Sequence, residues 1–162
     1  MPYTQGVDLM PSKEARNALA LCESHRSSII KLSFKTKKEG ITTNVSQCYT
    51  TTNDSNDDDK DQFHSTLQSI IAKCLRRNVT ILRGNLNAKV GMDNTGYEDI
   101  IRRHGLGERN ESGGGFGNLC AFNKLVVGGK IFPQKRIHTA TCVSPDHITE
   151  NQIDHICINK NA

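Results

Sequence analysis

The chain has 162 residues, 35% of them apolar, and 21 lysines and arginines against 17 acidic residues, which gives a formal net charge of +4. This length predicts one domain over residues 1–162, with no separate second domain. The modest charge permits a phosphate-bearing partner without requiring one. Because there are no tryptophans, five phenylalanines and three tyrosines, an aromatic platform that stacks bases is not expected.

Targeting signals are not apparent in the sequence. No apolar run approaches the roughly 18 residues of a membrane helix, and the first residues lack the basic and apolar segments of a signal peptide. We therefore expect an intracellular protein with no membrane partner. The six cysteines include no Cys-x-x-Cys pair, which favours reduced core residues over disulfides or a zinc site.

The first part of the chain predicts a short strand over residues 6–10, a turn or brief helix over 14–21, and two longer strands. Residues 28–34 alternate partly and residues 41–49 alternate clearly between apolar and polar side chains, which is typical of strands. A polar segment that ends at Gly40 separates them. These two strands are therefore expected to form a hairpin.

The strongest helix pattern covers residues 54–77. Its apolar residues recur at helical spacing: Phe63, Leu67, Ile70, Ile71 and Cys74. Asp54 or Ser55 is the expected N-cap, the acidic residues 57–59 suit the first turn, and the basic pair 76–77 suits the last turn. We therefore interpret the acidic run as a capped helix start rather than a metal site.

The second half of the chain alternates between apolar segments and a long polar one. A buried strand is predicted over residues 79–82, and its position after a strand and a helix predicts a mixed α/β fold. Residues 92–117 are polar and glycine-rich and predict a loop. Residues 119–127 show helical and then strand-like spacing, and residues 153–158 predict a last strand whose side chains face alternate sides.

Several generic site motifs fail on spacing. The glycine run 113–117 does not keep the Gly-x-Gly-x-x-Gly pattern, and residues 93–98 have the residue types of a calcium loop in the wrong order. Four potential ligands have spacings that match no zinc pattern: His138, His147, His155 and Cys157. The sequence therefore predicts neither a nucleotide-binding loop nor a calcium or zinc centre at these positions.

Three polar clusters stand at strand ends in a specific order. Tyr49 ends one predicted strand, Gly84-Asn85-Leu86-Asn87 ends the next, and Asp154 lies in the last. This order resembles the endonuclease/exonuclease/phosphatase superfamily. Further segments, such as Ser144-Pro145-Asp146-His147, resemble its non-LTR retrotransposon-type endonucleases labelled craniofacial development protein 2-like. The resemblance extends over residues 6–160.

The resemblance implies a DNase I-like fold of four layers, α/β/β/α, in which two sheets pack face to face. Because parts of the family pattern are missing here, the sandwich is expected to be incomplete, with outer strands absent. The implied reaction is hydrolysis of phosphodiester bonds in DNA with Mg²⁺ or Mn²⁺. A monomer without a small-molecule cofactor is expected, with the nucleus as a location consistent with the family.

The resemblance also assigns site residues. Tyr49 matches the tyrosine that contacts or polarises the scissile phosphate, and Asn87 matches the asparagine whose amide stabilises charge on phosphate oxygens. Asp154 matches the aspartate that orients a histidine near the C-terminus.

A short basic segment offers candidate contacts to a DNA backbone, which need only positioned cations. These are Lys135, Arg136 and His138. Such a group is also typical of a solvated loop, and that alternative stays open.

Asn85 departs from the family pattern, which has Gly-Asp-Leu-Asn at this place. An amide cannot accept a proton at neutral pH, and general-base assistance is typically worth about 10²–10⁴-fold. The family's metal-binding glutamate would lie upstream of residue 1, and its Ser-Asp-His motif beyond residue 162. We therefore expect weak or no hydrolysis.

Two alternatives stay open beside this expectation. One is a non-catalytic DNA- or protein-binding remnant of the same scaffold. The other is that Gly-Asn-x-Asn, taken by itself, forms a simple turn.

Overall fold

The computed structural model describes residues 9–50, 56–74, 76–91, 95–97, 108–128, 142–143, 150–151 and 154–159. The three helices in these ranges are α1 (Lys13–Ala18), α2 (Asp57–Ala72) and α3 (Glu111–Asn123). The strands are β1 (Leu19–His25), β2 (Ile29–Lys35), β3 (Thr42–Tyr49), β4 (Val79–Asn85), β5 (Leu125–Val127), β6 (Cys142–Val143), β7 (Glu150–Asn151) and β8 (Asp154–Asn159).

Six of the strands form one mixed sheet in the order β1-β2-β3-β4-β8-β5. Strands β3 and β4 are parallel, and every other neighbouring pair is antiparallel. A parallel pair needs a long crossover between its strands, and α2 lies in the connection from β3 to β4. The predicted α/β class is therefore confirmed, as is the β2–β3 hairpin.

A second, two-stranded sheet is formed by β6 and β7. The described ranges thus contain one large sheet with its helices and this short antiparallel pair. In the same ranges, no helix is long and apolar enough to cross a bilayer.

The hydrophobic core lies between the large sheet and the helices α2 and α3. Cys48, Leu82 and Cys157 come from the adjacent strands β3, β4 and β8, and each is at most 1% exposed. Leu67 on α2 and Phe116 on α3 belong to the same cluster. Because side chains alternate along a strand, the residues between these core positions point to the opposite face of the sheet.

The predicted helix over residues 54–77 is shorter at both ends than the sequence pattern indicated. Helix α2 begins after Asn56, whose side chain accepts a hydrogen bond from the Asp59 backbone nitrogen at 2.8 Å. The N-cap is therefore Asn56 rather than Asp54 or Ser55. The helix ends at Ala72, so the basic pair 76–77 lies beyond its last turn, in the link to β4.

The strand β1 was missed by the sequence prediction, which placed a turn or helix over residues 14–21. Helix α1 ends at Ala18, and Leu19 to His25 pair with β2 along their length. The segment Leu-Ala-Leu favours a helix intrinsically. Pairing with the exposed edge of β2 supplies backbone hydrogen bonds that a short isolated helix cannot match.

The predicted loop over residues 92–117 was also partly wrong, because α3 begins at Glu111 and includes the glycine run. Asn110 caps this helix by accepting a hydrogen bond from the Gly113 backbone nitrogen. A Cβ on Gly113 would lie 2.0 Å from the Lys89 carbonyl oxygen. Glycine here therefore allows the helix start to approach the segment that follows β4.

Candidate functional site

Three of the predicted site residues lie in one row across neighbouring strands. Tyr49 is in register with Asn85 in the parallel β3–β4 pair, and Asn85 is in register with Asp154 in the antiparallel β4–β8 pair. Strands in a sheet lie roughly 4.8 Å apart, so the row spans about 10 Å from Tyr49 to Asp154. We call Tyr49, Asn85 and Asp154 the strand-end row.

The strand-end row faces away from the helical core. The next residues inward, Cys48, Gly84 and His155, are also in register, and Cys48 and His155 are buried on the core side. Since successive side chains alternate, the row points to the other face. Tyr49 and Asn85 are half-buried and Asp154 is exposed, so all three are accessible to a ligand.

Gly84 is required where β3 and β4 end. Its φ is +140°, and a Cβ at this position would lie 1.8 Å from the Cys48 carbonyl oxygen. Both the backbone conformation and the close approach exclude an L side chain. Gly84 therefore allows the end of β4 to lie close to β3. The Gly-Asn-x-Asn motif thus has a role in strand packing as well as in forming a turn.

Asn85 and Asn87 are joined by a local hydrogen bond. The Asn87 backbone nitrogen donates to Asn85 Oδ1 at 3.0 Å, and Asn87 has a φ of 46°, a left-handed conformation that asparagine tolerates. The atom of Asn85 used in this contact is its carbonyl oxygen. Because a carboxylate also offers such an oxygen, the local fold does not require an amide at residue 85.

The side chain of Asn87 ties this segment to the end of β3. Its amide nitrogen Nδ2 donates to the Thr50 carbonyl oxygen at 3.1 Å and to Thr50 Oγ1 at 3.2 Å, while the Thr50 backbone nitrogen donates to the Asn85 carbonyl oxygen at 2.9 Å. An amide nitrogen carries two hydrogens, and Thr50 provides an acceptor for each. Asn87 therefore braces the strand ends in this structure.

Residues 86–90 are anchored to the hydrophobic core by apolar side chains. Leu86, Ala88 and Val90 are buried in the core cluster, whereas Asn87 and Lys89 between them are half-buried. This alternation continues the pattern of β4 past its last paired residue. The segment thus keeps its polar residues on the accessible side for several residues beyond the sheet.

His155 holds the same segment from β8. Its Nε2 lies 2.6 Å from the Ala88 carbonyl oxygen, and because a carbonyl can only accept, Nε2 carries the hydrogen. The imidazole stacks on Phe116 of α3 with 5.1 Å between ring centroids, and the residue is 6% exposed. His155, which directly follows Asp154 in the chain, is therefore a packing residue that positions residues 86–90.

Asn110 is a positioning residue that the sequence analysis did not single out. Its Oδ1 accepts from the backbone nitrogens of Lys89 at 2.9 Å and Gly113 at 2.8 Å, and its Nδ2 donates to the Asn87 carbonyl oxygen at 3.0 Å. One side chain thus joins the cap of α3 to the segment after β4. An asparagine directly before a helix is the available signal, but the helix itself was not predicted there.

The buried cysteines are not candidate nucleophiles. Burial raises the pKa of the Cys48 thiol to about 12. The pKa of Cys157 is raised well above its usual range, first by the hydrogen bond with Cys120 and then by burial. Neutral thiols react poorly because the thiolate is the nucleophile. The expectation of core cysteines is confirmed for Cys48, Cys120 and Cys157, whereas Cys22 is exposed.

The described residues do not fit a dedicated Mg²⁺ site. Magnesium is usually held by one or two carboxylates together with substrate phosphates. The strand-end row offers the Asp154 carboxylate, a phenol and an amide whose oxygen already accepts from Asn87. Among the described residues, no group of three or more His, Cys, Asp or Glu side chains is placed to hold a metal ion. The predicted metal dependence therefore stays a prediction.

The remaining predicted site residues, Lys135, Arg136 and His138, lie outside the described residues. Their role as contacts to a DNA backbone stays a prediction. The catalytic roles assigned to Tyr49, Asn85, Asn87 and Asp154 also stay predictions, although the sheet register brings Tyr49, Asn85 and Asp154 into one row and the Asn85 oxygen joins Asn87 to it.

Comparison with solved structures finds partial architectural similarity. An endonuclease/exonuclease/phosphatase protein of Beutenbergia cavernae matches with a TM-score of 0.44 and 14% identity, covering 82% of this chain and 32% of that one. A beta toxin of Staphylococcus aureus matches at 0.45 and 9%, with coverages of 83% and 43%. Danio rerio TDP2, solved with a single-stranded DNA product, matches at 0.46 and 9%, with coverages of 89% and 54%.

No family model matches the sequence. Two curated relatives are similar over 153 residues, which is 93% of this chain. Both are craniofacial development protein 2: the Bos taurus protein is 33% identical and the Tragulus javanicus protein 32% identical. The chain spans about a quarter of their length, 25% and 26% respectively. It is thus similar, over nearly its whole length, to one part of craniofacial development protein 2.

Proposed function

We propose that this chain is a phosphodiesterase-type domain that engages nucleic-acid phosphodiesters at the strand-end row and hydrolyses them weakly or not at all. The observation that carries the proposal is the register that aligns Tyr49, Asn85 and Asp154 at one edge of the sheet. A small number of polar groups placed close together is what fixes the orientation of a bound ligand. The motif resemblance supplies the class of ligand.

Each residue of the row has a definite chemical capacity. The Tyr49 hydroxyl is a hydrogen-bond donor suited to a phosphate oxygen, and the exposed Asp154 carboxylate is an acceptor for a proton or a water molecule. Asn85 has an amide where the resembling enzymes have a carboxylate. Because an amide stays neutral and does not take up a proton, the middle of the row lacks a general base, which is worth about 10²–10⁴-fold in rate.

In this proposal, the first role of Asn87 is to hold the segment after β4 against the end of β3. Its amide hydrogens point to Thr50, so a phosphate oxygen would have to replace one of these acceptors before Asn87 could donate to it. A charged oxygen is the stronger acceptor, which makes such an exchange favourable. The functional contribution of Asn87 would then depend on a small rearrangement at the end of β3.

The proposal is tested by following backbone amide signals in an NMR titration with a short single-stranded oligodeoxynucleotide. Binding at the row is expected to shift the signals of Tyr49, Asn85 and Asp154, and Tyr49→Phe should weaken the response because it removes only the hydroxyl. Ser46→Ala on the core side of β3 is the matched control. Unchanged signals at the three strand ends under saturating oligonucleotide would refute the site.

A further inference from the structure

A group of cations surrounds an open cavity of about 530 Å³ at the other end of the sheet. It is formed by the β2–β3 turn and the link from α2 to β4, and its basic lining residues are Lys35, Lys37, Lys38 and Arg77. We call these four residues the basic end. Thr42 at the start of β3 lines the same cavity, which places it roughly 23 Å along the strand from Tyr49.

The charge at the basic end is not neutralised within the described part of the chain. All four cations are exposed, and the ion pairs found among the described residues are Lys31–Glu23 and Lys60–Asp57. Glu39 is the acidic residue among the described lining residues. The cavity therefore has an excess of positive charge, although the chain as a whole is only at +4.

A smaller cavity of about 220 Å³ adds two more cations next to it. Arg76 and Lys124 line this cavity, and Arg76 directly precedes Arg77 of the basic end. Positive charge thus continues from the β2–β3 turn across the link to β4. Among the described residues, six basic side chains line these two cavities.

The backbone that carries these cations is held by internal hydrogen bonds. Thr36 Oγ1 lies within hydrogen-bond distance of the carbonyl oxygens of Lys38 and Ile41, at 3.0 and 2.9 Å. Asn78 Oδ1 accepts from the Thr42 backbone nitrogen at 3.1 Å and joins the turn to the link before β4. The cations therefore project from an ordered surface, which lowers the entropic cost of binding an extended ligand.

The residue types at the basic end favour a polyanion over a protein partner. Interface cores between proteins are enriched in aromatic residues and arginine and depleted in lysine. Here three of the four cations are lysines, and Ile41 is the large apolar residue in the lining. Surfaces that bind nucleic acid are instead polar and strongly positive.

We propose that the basic end binds the sugar–phosphate backbone of nucleic acid without reading its sequence, as a second contact separate from the strand-end row. Phosphate contacts of this kind position a protein and carry no sequence information. The proposal does not depend on catalysis, because it rests on charges at the opposite end of the sheet. It would hold even for a chain that hydrolyses nothing.

The test uses a fluorescent DNA duplex of random sequence and compares two variants that each lose one lysine and one arginine. Lys37→Gln/Arg77→Gln neutralises half of the basic end, whereas Arg26→Gln/Lys60→Gln removes the same charge from the β1–β2 turn and the first turns of α2. The first variant should bind the duplex more weakly, and its salt dependence should fall by about one unit of slope per cation lost. The second should retain the slope of the wild type.

Three results would overturn the proposal. Equal losses in both variants would assign binding to net charge, and no loss in Lys37→Gln/Arg77→Gln would assign it elsewhere. Poly-glutamate or phosphatidylserine vesicles that bind more tightly than the duplex, with the same loss in this variant, would assign the surface to an acidic protein or an anionic membrane. Equal thermal unfolding of both variants and the wild type confirms that the comparison reports binding.

Discussion

The two ends of the large sheet differ in how they are built. At the strand-end row, Gly84, Asn87 and Asn110 make close approaches and side-chain hydrogen bonds that tie β3, β4 and α3 together. At the basic end, the cations are exposed. The internal hydrogen bonds there lie within the β2–β3 turn and between Thr42 and Asn78. One end is defined by its geometry and the other by its charge.

This difference separates two properties of the sheet, its geometry at one end and its charge at the other. The strand-end row holds polar residues in one register, and its middle residue, Asn85, is a neutral amide. The basic end has charge suited to a phosphate backbone but lacks a row of converging polar groups. Substitutions at the first end should therefore affect stability and any chemistry, whereas substitutions at the second should affect binding and its dependence on salt.

The largest expected effect is that of Gly84→Ala. The new Cβ would lie 1.8 Å from the Cys48 carbonyl oxygen, and the alanine backbone would have to adopt a φ of +140°. We therefore expect a loss of at least about 3 kcal/mol in the free energy of unfolding. Urea denaturation measures it. Gly114→Ala in α3, where a Cβ meets nothing within 4 Å, is the control and should stabilise by about 0.5–1 kcal/mol. Similar stability for the two variants would show that the strand ends are not fixed by Gly84.

A smaller effect is expected for Asn110→Ala, which removes the helix cap and the two contacts to the segment after β4. We expect a loss of about 2–3 kcal/mol in the free energy of unfolding. Asn110→Asp keeps both hydrogen bonds accepted by Oδ1 and should lose about 1 kcal/mol. If the aspartate variant were as unstable as the alanine variant, the cap and the Lys89 contact would not be the main contribution of Asn110.

Asn85→Asp should have a modest effect that depends on salt. The variant keeps the oxygen that accepts from Asn87 but places a second carboxylate directly opposite Asp154 on the neighbouring strand. Like charges in such pairs destabilise by roughly 0.2–1 kcal/mol, and added salt should reduce the loss because it screens the repulsion between accessible charges. Asn85→Asp/Asp154→Asn should recover the stability of the wild type at neutral pH. No recovery would mean that the register pair is not the source of the loss.

The smallest effect on stability is expected at the basic end. Lys37→Gln/Arg77→Gln changes exposed side chains without ion pairs to described residues, so the free energy of unfolding should stay within about 0.5 kcal/mol of the wild type. Thermal unfolding at equal salt concentration measures it. A loss comparable to that of Asn110→Ala would show that the basic end supports the fold and would remove the contrast between the two ends.

Much of the sheet could be predicted from the sequence because its strands alternate locally. The β2–β3 hairpin and the alternation of β8 follow from side-chain periodicity. Strand β1 and the glycine-rich first half of helix α3 could not be predicted in the same way, whereas the helical spacing from residue 119 onwards marks the end of α3. The strand depends on pairing with the edge of β2. The helix contains four glycines, which oppose helix formation, and it is stabilised by its Asn110 cap and by the buried Phe116.

The candidate site, like the fold, could be predicted only in part from the sequence. The order of Tyr49, Asn85 and Asp154 along the chain predicted a shared site, and the sheet register aligns them in one row. The positioning roles of Asn110 and His155 depend on partners far away in sequence. Asn110 bonds to Lys89, 21 residues away, and His155 bonds to Ala88, 67 residues away. Local patterns carry no signal for contacts at such separations, which is why these two residues were not assigned.

The most direct test of the account is the rate at which the purified chain nicks supercoiled plasmid with Mg²⁺, measured beside Tyr49→Phe and Asp154→Asn. The account predicts that the wild type, although folded cooperatively and able to bind DNA, nicks no faster than either variant, because Asn85 leaves the middle of the row without a general base. Nicking by the wild type that Tyr49→Phe or Asp154→Asn abolishes would contradict it, since the strand-end row would then be a working active site.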